Sequence, residues 1–250
     1  MAELSTMEWA AIDGLESPAL VWETGSVAYG LADAGSDRDL RAIVMPTVDD
    51  YVHCRPAREH THVDAGVDLQ TYGLHHYCDM LLSNGPNAIE LAGLPAQCVV
   101  RTSPVGDLIL DAAPRLVSRK AMAGLEGYAV RQWERYAKHA AMGEGRTACK
   151  ALMHSVRILR MAAELWETGE LHLVRDADRD ELLEVRHGAA GMGERFRREA
   201  LARLDEVKAG PTPLPAEPDP TLVEPALKRA FARAMAARDA SGSWKGKVQR

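Results

Sequence analysis

The sequence lacks most of the features that would place it quickly. Among 250 residues there are only two Phe, and aromatics total 5%. Four cysteines, Cys54, Cys78, Cys98 and Cys149, are scattered with no CxxC pair, so neither a zinc ribbon nor a disulfide framework is indicated. That usage fits a reducing compartment, and a cytoplasmic location is expected. The N-terminal stretch MAELSTMEWAAIDGLESPA has acidic residues and no basic leader, against a signal peptide. No apolar run reaches the roughly 20 residues of a membrane span, so no membrane partner is expected. There is no GxxxxGK[ST] phosphate loop and no GxSxG elbow. His53, His60 and His62 have no suitably spaced cysteine and read as surface residues; the adjacent His75 and His76 cannot share a helix face.

What remains is ordinary globular composition, 46% apolar and 26% charged, rich in Ala, Arg and Glu. The length is generous for one domain and short for two. Net charge is −6, but it is uneven. From Arg115 to Arg160 there are ten Lys/Arg against three Asp/Glu, a local +7 that leaves −13 for the rest. An acidic half facing a basic half suits an enzyme of polyphosphates.

Patterning divides the chain. Ala19–Trp22, Asp37–Met45 and a segment within Val63–Tyr72 read as strands. From Tyr72 onward the spacing is helical. Asn87 is expected to cap a helix, with Glu90 at the capping-box position. Pro104–Ala113, Val117–Met142 (with a break near Gly124 and Gly127), Thr147–Thr168, 178–187, 192–208 and Leu222–Arg238 are expected helices. Residues 210–220 hold five prolines and form a connector. The fold class is therefore α+β: a small mixed β-sheet domain over 1–103, a helical substrate-binding domain over 104–240 and a mobile tail, 241–250.

Chemistry concentrates in Gly25-Ser-Val-Ala-Tyr-Gly-Leu-Ala-Asp-Ala-Gly-Ser-Asp37-Arg-Asp39. On a strand, Asp37 and Asp39 share one face. Two carboxylates so close are unfavourable without a cation between them, and Mg²⁺ prefers such oxygen ligands together with phosphate oxygens. Gly25 lets the backbone approach a phosphate, and a helix starting near Val27 would aim free N–H groups at it. The Ser26 hydroxyl adds a further donor. Arg41 continues the face of Asp37 and Asp39, suited to an ion pair or to substrate. Lys150, His154 and Arg157, spaced i, i+4, i+7, form one helix stripe that suits phosphate or acceptor contact, and Arg160 extends its charge.

The pattern G-S-x-A-Y-G followed by S-D-x-D-x-R resembles the signature of the DNA polymerase β nucleotidyltransferase superfamily, specifically its RNA-repair-pathway branch. Val67-Asp68-Leu-Gln-Thr, Asn84-Gly-Pro-Asn-Ala-Ile-Glu90, Lys150-Ala-Leu-Met-His154-Ser-Val-Arg157 and Glu167-Thr-Gly-Glu170 extend the resemblance from about residue 19 to 238. It implies that Asp68 joins Asp37 and Asp39 as the third metal-binding and catalytic carboxylate, with Asp64 as the rival. It also implies two Mg²⁺ ions, or Mn²⁺, and an NTP bound by Gly25, Ser26, Arg41, Lys150, His154 and Arg157. The acceptor would be RNA, with protein or a small molecule as alternatives. A non-catalytic, antitoxin-like nucleotide-binding module and a metal-dependent phosphohydrolase are the competing functions.

Overall fold

A computed structural model describes residues 4–33, 36–52, 59–64 and 67–241, with backbone alone over 59–64 and 238–241. The histidines at 53, 60 and 62, Cys54 and the tail beyond Ser241 lie outside the described residues or side chains. The order of elements is α1 (Thr6–Asp13), β1 (Pro18–Thr24), α2 (Gly25–Ala28), β2 (Asp39–Val44), α3 (Val48–Val52), β3 (Glu59–Asp64), β4 (Val67–Gly73), α4 (Leu74–Leu82), α5 (Pro86–Ile89), β5 (Val99–Thr102), α6 (Pro104–Ala112), α7 (Lys120–Ala141), α8 (Gly145–Thr168), α9 (Arg179–Arg186), α10 (Ala190–Lys208) and α11 (Glu224–Ser241). The class is α+β, a small mixed sheet followed by helices.

The sheet order is β3-β4-β2-β1-β5. Among the described residues only β2 and β4 pair in parallel; the other pairs are antiparallel. β3 and β5 flank the three strands read from sequence. At four residues, Val99–Thr102 is too short to show a period-2 pattern, and it forms an edge beside β1.

Alternation gives each sheet face its own core. Trp22, Ile43 and Tyr72 lie on one face with Tyr77, Leu81, Val105, Ile109 and Ala226, so α4, α6 and α11 cover it. Val21, Leu40, Ala42, Val67 and Leu69 lie on the other, under Ile12 of α1. Each large side chain buried this way contributes about 1.5–3 kcal/mol. Packing thus crosses the expected boundary at 103/104, because α6 and α11 belong to the core of the sheet. A separate core holds α7, α8, α9 and α10, and Ala28, Tyr29 and Leu31 enter it from the sheet side.

Several helix boundaries differ from those expected. α7 runs unbroken through Gly124 and Gly127. A Cβ at Gly124 would sit 3.2 Å from the Pro86 ring, so that glycine serves close packing rather than a break. The helix after α4 starts at Pro86, with Gly85 as its cap, rather than at Asn87. Pro at the first helical position needs no N–H, which sets that start. Asn84 closes the turn before it with φ +53, donating to the Leu81 and Leu116 carbonyls and accepting from the Ser118 N–H and hydroxyl. Thr168-Gly169-Glu170 is a helix stop: Gly169 has φ +77 and its N–H returns to Leu165 O. Among the described residues no helix is long and apolar enough to cross a membrane.

Candidate active site

The sheet face that carries Trp22, Ile43 and Tyr72 changes character along its length. In the β2–β4 register Ile43 faces Tyr72, Arg41 faces Gln70 and Asp39 faces Asp68. The β1–β2 register sets Thr24 beside Asp39. The apolar floor thus gives way, two residues at a time, to a row of Thr24, Asp39 and Asp68 at one edge. The parallel pairing of β2 and β4 is what makes Asp39 and Asp68 direct neighbours.

β1 does not continue past Thr24 because Gly25 adopts φ +65 and opens the single turn of α2. That turn starts at Gly25, two residues earlier than expected. A Cβ on Gly25 would lie 2.2 Å from Asp39 Oδ2. The residue must therefore be glycine for two reasons, its left-handed backbone and the carboxylate against it.

Asp37 precedes the strand, which begins at Asp39 rather than Asp37. Strand alternation therefore does not orient Asp37. Backbone Arg175 N–H donates to Tyr29 O at 3.0 Å, Arg179 Nε to Gly30 O at 2.8 Å and Arg186 Nη1 to Leu31 O at 3.0 Å. Arg186 also lies 3.6 Å from the Asp33 carboxylate. Between the two acidic residues, Arg38 Nε sits 2.9 Å from Glu23 Oε1 on the other side of the sheet. Asp37, Asp39 and Asp68 all line one cavity of about 1060 Å³. Burial raises the Asp39 pKa, and the charges of Asp68 and Asp37 raise it further, against Arg41 and Lys150. Asp64, the rival to Asp68, stands opposite Val67 in the β3–β4 pair, and its side chain lies outside those described.

The opposite wall is α8. Lys150, His154 and Arg157 all line the same cavity, and they descend from surface to floor: Lys150 is exposed, His154 half-buried and Arg157 1% exposed. The Arg157 guanidinium lies 3.5 Å over the Tyr29 ring, and its Nη1 is 3.3 Å from the Met161 sulfur. Among the described residues it has no carboxylate partner, and its Nε is buried without a hydrogen bond. Leaving a cation buried and unpaired is costly unless an anion arrives. Burial lowers the His154 pKa well below the usual imidazole range, and Arg157, Lys150, Arg186 and Arg135 push the same way. The His154 Nδ1 is buried and has no hydrogen-bond partner among the described residues. Arg160 leaves this stripe: it bonds Asp178 at 2.9 Å and Glu181 at 2.8 Å, outside the cavity.

Arg41 also lines the cavity, where it lies 3.5 Å from Glu90 Oε2 and donates to Asn87 O at 3.1 Å. Glu90 accepts the Tyr29 hydroxyl as well. Its role is thus to join Arg41 to Tyr29, rather than to close a capping box. Arg135 and Arg186 are cavity residues that pattern reading did not single out. Tyr29, Gln70 and Glu90 lie inside the motifs read from the sequence, which gave them no place in the cavity.

The carboxylates flank the cavity without forming a closed cage: among the described residues no three His, Cys, Asp or Glu side chains come together as a ready-made metal site. What the arrangement offers is hard oxygen donors on one wall and unpaired cations on the other.

Comparison with known proteins bears on what such a cavity serves. No curated protein matches the sequence. A solved structure of a nucleotidyltransferase-like protein from Exiguobacterium sibiricum 255-15 is similar over 81% of this chain and 76% of that one, at 10% identity and a TM-score of 0.33, which is too distant to weigh. The profile of the RNA repair pathway DNA polymerase beta family matches residues 17–239. That span takes in all five strands, the Gly-Ser turn, the three carboxylates and α8, so the chain belongs to the RNA repair pathway DNA polymerase beta family, nucleotidyltransferases of the polymerase β superfamily.

Proposed function

We propose that this nucleotidyltransferase moves a nucleoside monophosphate from an NTP to a hydroxyl of RNA and releases pyrophosphate. The observation that carries the reading is the pairing of Asp39 with Asp68 across a cavity from the exposed Lys150 and the buried, unpaired Arg157. Acidic residues on one wall suit metal, and cations on the other suit a triphosphate.

Asp37, Asp39 and Asp68 would hold two Mg²⁺ ions, or Mn²⁺. The donor set fits: all ligands are carboxylates, and the Asp39 pKa, raised first by burial and then by the charges of Asp68 and Asp37, marks a site where a cation would relieve the repulsion. An open arrangement suits Mg²⁺, which keeps waters and takes phosphate oxygens beside one or two carboxylates. Bound there, such ions supply Lewis-acid stabilisation of the attacking and leaving oxygens.

The protein's own groups do the rest. The N–H groups at the Gly25-Ser26 turn and the Ser26 hydroxyl bind phosphate oxygens. Lys150 and Arg157 hold the β- and γ-phosphates, and Tyr29 fixes the plane of the Arg157 guanidinium. Arg41, tied to Glu90, keeps the floor of the cavity rigid beside Asp39 and approaches the nucleotide from below. His154 lines the cavity between Lys150 and Arg157, beside the nucleotide. Asp68 accepts the proton of the attacking hydroxyl. With positioning and charge stabilisation supplied in this way, the transfer needs no covalent enzyme intermediate.

The test is pyrophosphate release from each NTP with Mg²⁺ and RNA, by native protein and by Asp37→Ala/Asp39→Ala. Release that requires both RNA and the carboxylates supports the proposal. Orthophosphate release without an acceptor would favour a phosphohydrolase. NTP binding with no turnover would favour the nucleotide-binding module.

A further inference from the structure

Seven of the ten basic residues between Arg115 and Arg160 form no ion pair among the described residues; only Arg115, Lys120 and Arg160 do. Lys150 and Arg157 belong to the nucleotide cavity. Of the rest, Arg131, Arg135, Lys138 and Arg146 stand together on the hairpin of α7 and α8.

Their positions follow from helix geometry. At 100° per residue, Tyr128, Arg131, Arg135 and Lys138 fall within about 80° of one another. The buried face of α7, Leu125, Ala129, Gln132 and Tyr136, points elsewhere. All three cations are exposed. Arg131 lies 5.8 Å from the Tyr128 ring centroid. Tyr128 and Arg135 line the cavity, as does Arg146 in the first turn of α8. The stripe therefore borders the cavity at Tyr128, Arg135 and Arg146, with Arg131 and Lys138 exposed outside its lining.

The acidic groups around it do not neutralise it. Glu126 is engaged by Lys208, and Glu144 by His139. Glu134 is exposed at the far margin of the stripe, about 40° beyond Lys138, and forms no ion pair among the described residues.

We infer that the α7–α8 hairpin is the track of a single-stranded polynucleotide, bound by Arg131, Arg135, Lys138 and Arg146, whose terminus enters the cavity past Tyr128. From Tyr128 to Lys138 is about 15 Å along the helix, enough for two or three phosphates of an extended strand. Arg131 and Lys138 lie outside the cavity lining, so a triphosphate bound inside it leaves them unused, whereas a polymer can reach them. An aromatic ring at the entrance of a basic groove is also how single strands are held without sequence preference. The inference rests on the proposed transfer only for the role of the strand as acceptor; the binding surface stands on the charge pattern.

The test is fluorescence anisotropy with a labelled 12-nucleotide oligouridylate, using the full chain and Arg131→Gln/Lys138→Gln. Both positions are exposed and outside the cavity, so binding of a labelled NTP analogue should be unchanged. The oligonucleotide Kd should rise about tenfold. The slope of log K against log salt should fall in magnitude by about 1.4, because two fewer phosphates are neutralised on binding. An unchanged Kd and slope, no binding by native protein, or equal binding of polyglutamate would each overturn the track. Pyrophosphate release with a protein or small-molecule acceptor, together with an unmoved oligonucleotide Kd, would refute the track and leave the transfer chemistry standing. A Kd that moves as predicted in a protein that transfers no nucleotide would support the track and remove the catalytic proposal.

Discussion

Replacing Gly25 by alanine should separate stability from catalysis. The backbone there has φ +65, so any side chain adds the left-handed penalty of about 1–2 kcal/mol. For a chain of this size each kcal/mol lowers Tm by about 2–4 °C, so the expected loss is about 2–8 °C. The added methyl would also start 2.2 Å from Asp39 Oδ2, where ordinary contact begins near 3.4 Å. A carboxylate at the end of a side chain can swing aside cheaply, and it must do so by about 1 Å. Fold is therefore retained while the proposed metal ligand is displaced, and a misplacement of about 1 Å can cost about a hundredfold in rate. The assay is kcat for nucleotidyl transfer beside a thermal melt. A variant that keeps kcat within about threefold of native would refute the placement of Asp39 at the reacting centre. A variant that does not fold would refute the energetic reasoning.

Other consequences follow from buried groups. Asn84→Ala removes four hydrogen bonds at a positive-φ turn, and should lower stability by about 3–4 kcal/mol in a denaturant titration, with little change in NTP affinity of the folded fraction. Arg157→Lys keeps the charge but loses the planar stack on Tyr29 and the fork, so NTP binding measured by calorimetry should weaken about tenfold; unchanged affinity would assign Arg157 to packing alone. Burial pushes the Asp178 pKa up, but hydrogen bonds from Arg175 and Arg160 outweigh it and hold the pKa below the ordinary value. A depressed folded pKa gives stability that is full above the unfolded value near 3.9 and is lost as pH falls through the folded one. Asp178→Asn should therefore be less stable than native at pH 7 and lose less on acidification from pH 5 to 2; parallel acid limbs would contradict the network.

The parts of the fold that could be read in the sequence were those with local signals. β1, β2 and β4 are apolar runs ended by Gly25, Pro46 and the helical period after Tyr72, and the helices from α6 to α11 follow their spacing. β3 and β5 had no such signal, since their strand character comes from neighbours: β5 is four residues beside β1. The Gly-Ser turn and the Asp-x-Asp spacing were legible because both lie in one short segment. The adjacency of Asp39 and Asp68 was not, because it depends on parallel register between strands almost thirty residues apart. Glu90 looked like a capping residue from its three-residue offset to Asn87. It became the partner of Arg41 and Tyr29 only through contacts far along the chain. The stripe Lys150, His154, Arg157 and Arg160 looked uniform. Burial beside Tyr29 and the distant Asp178 and Glu181 divide it into a cavity wall and a surface ion pair.

The central claim is that the α-phosphorus is the one transferred, under control of the carboxylates. The direct measurement uses one NTP labelled in parallel at the α- or γ-phosphate, incubated with RNA and Mg²⁺. Native protein should place α-label on RNA and release γ-label as pyrophosphate, and Asp39→Asn should do neither. Transfer of γ-label to RNA, or α-labelling that survives Asp39→Asn, would contradict the account.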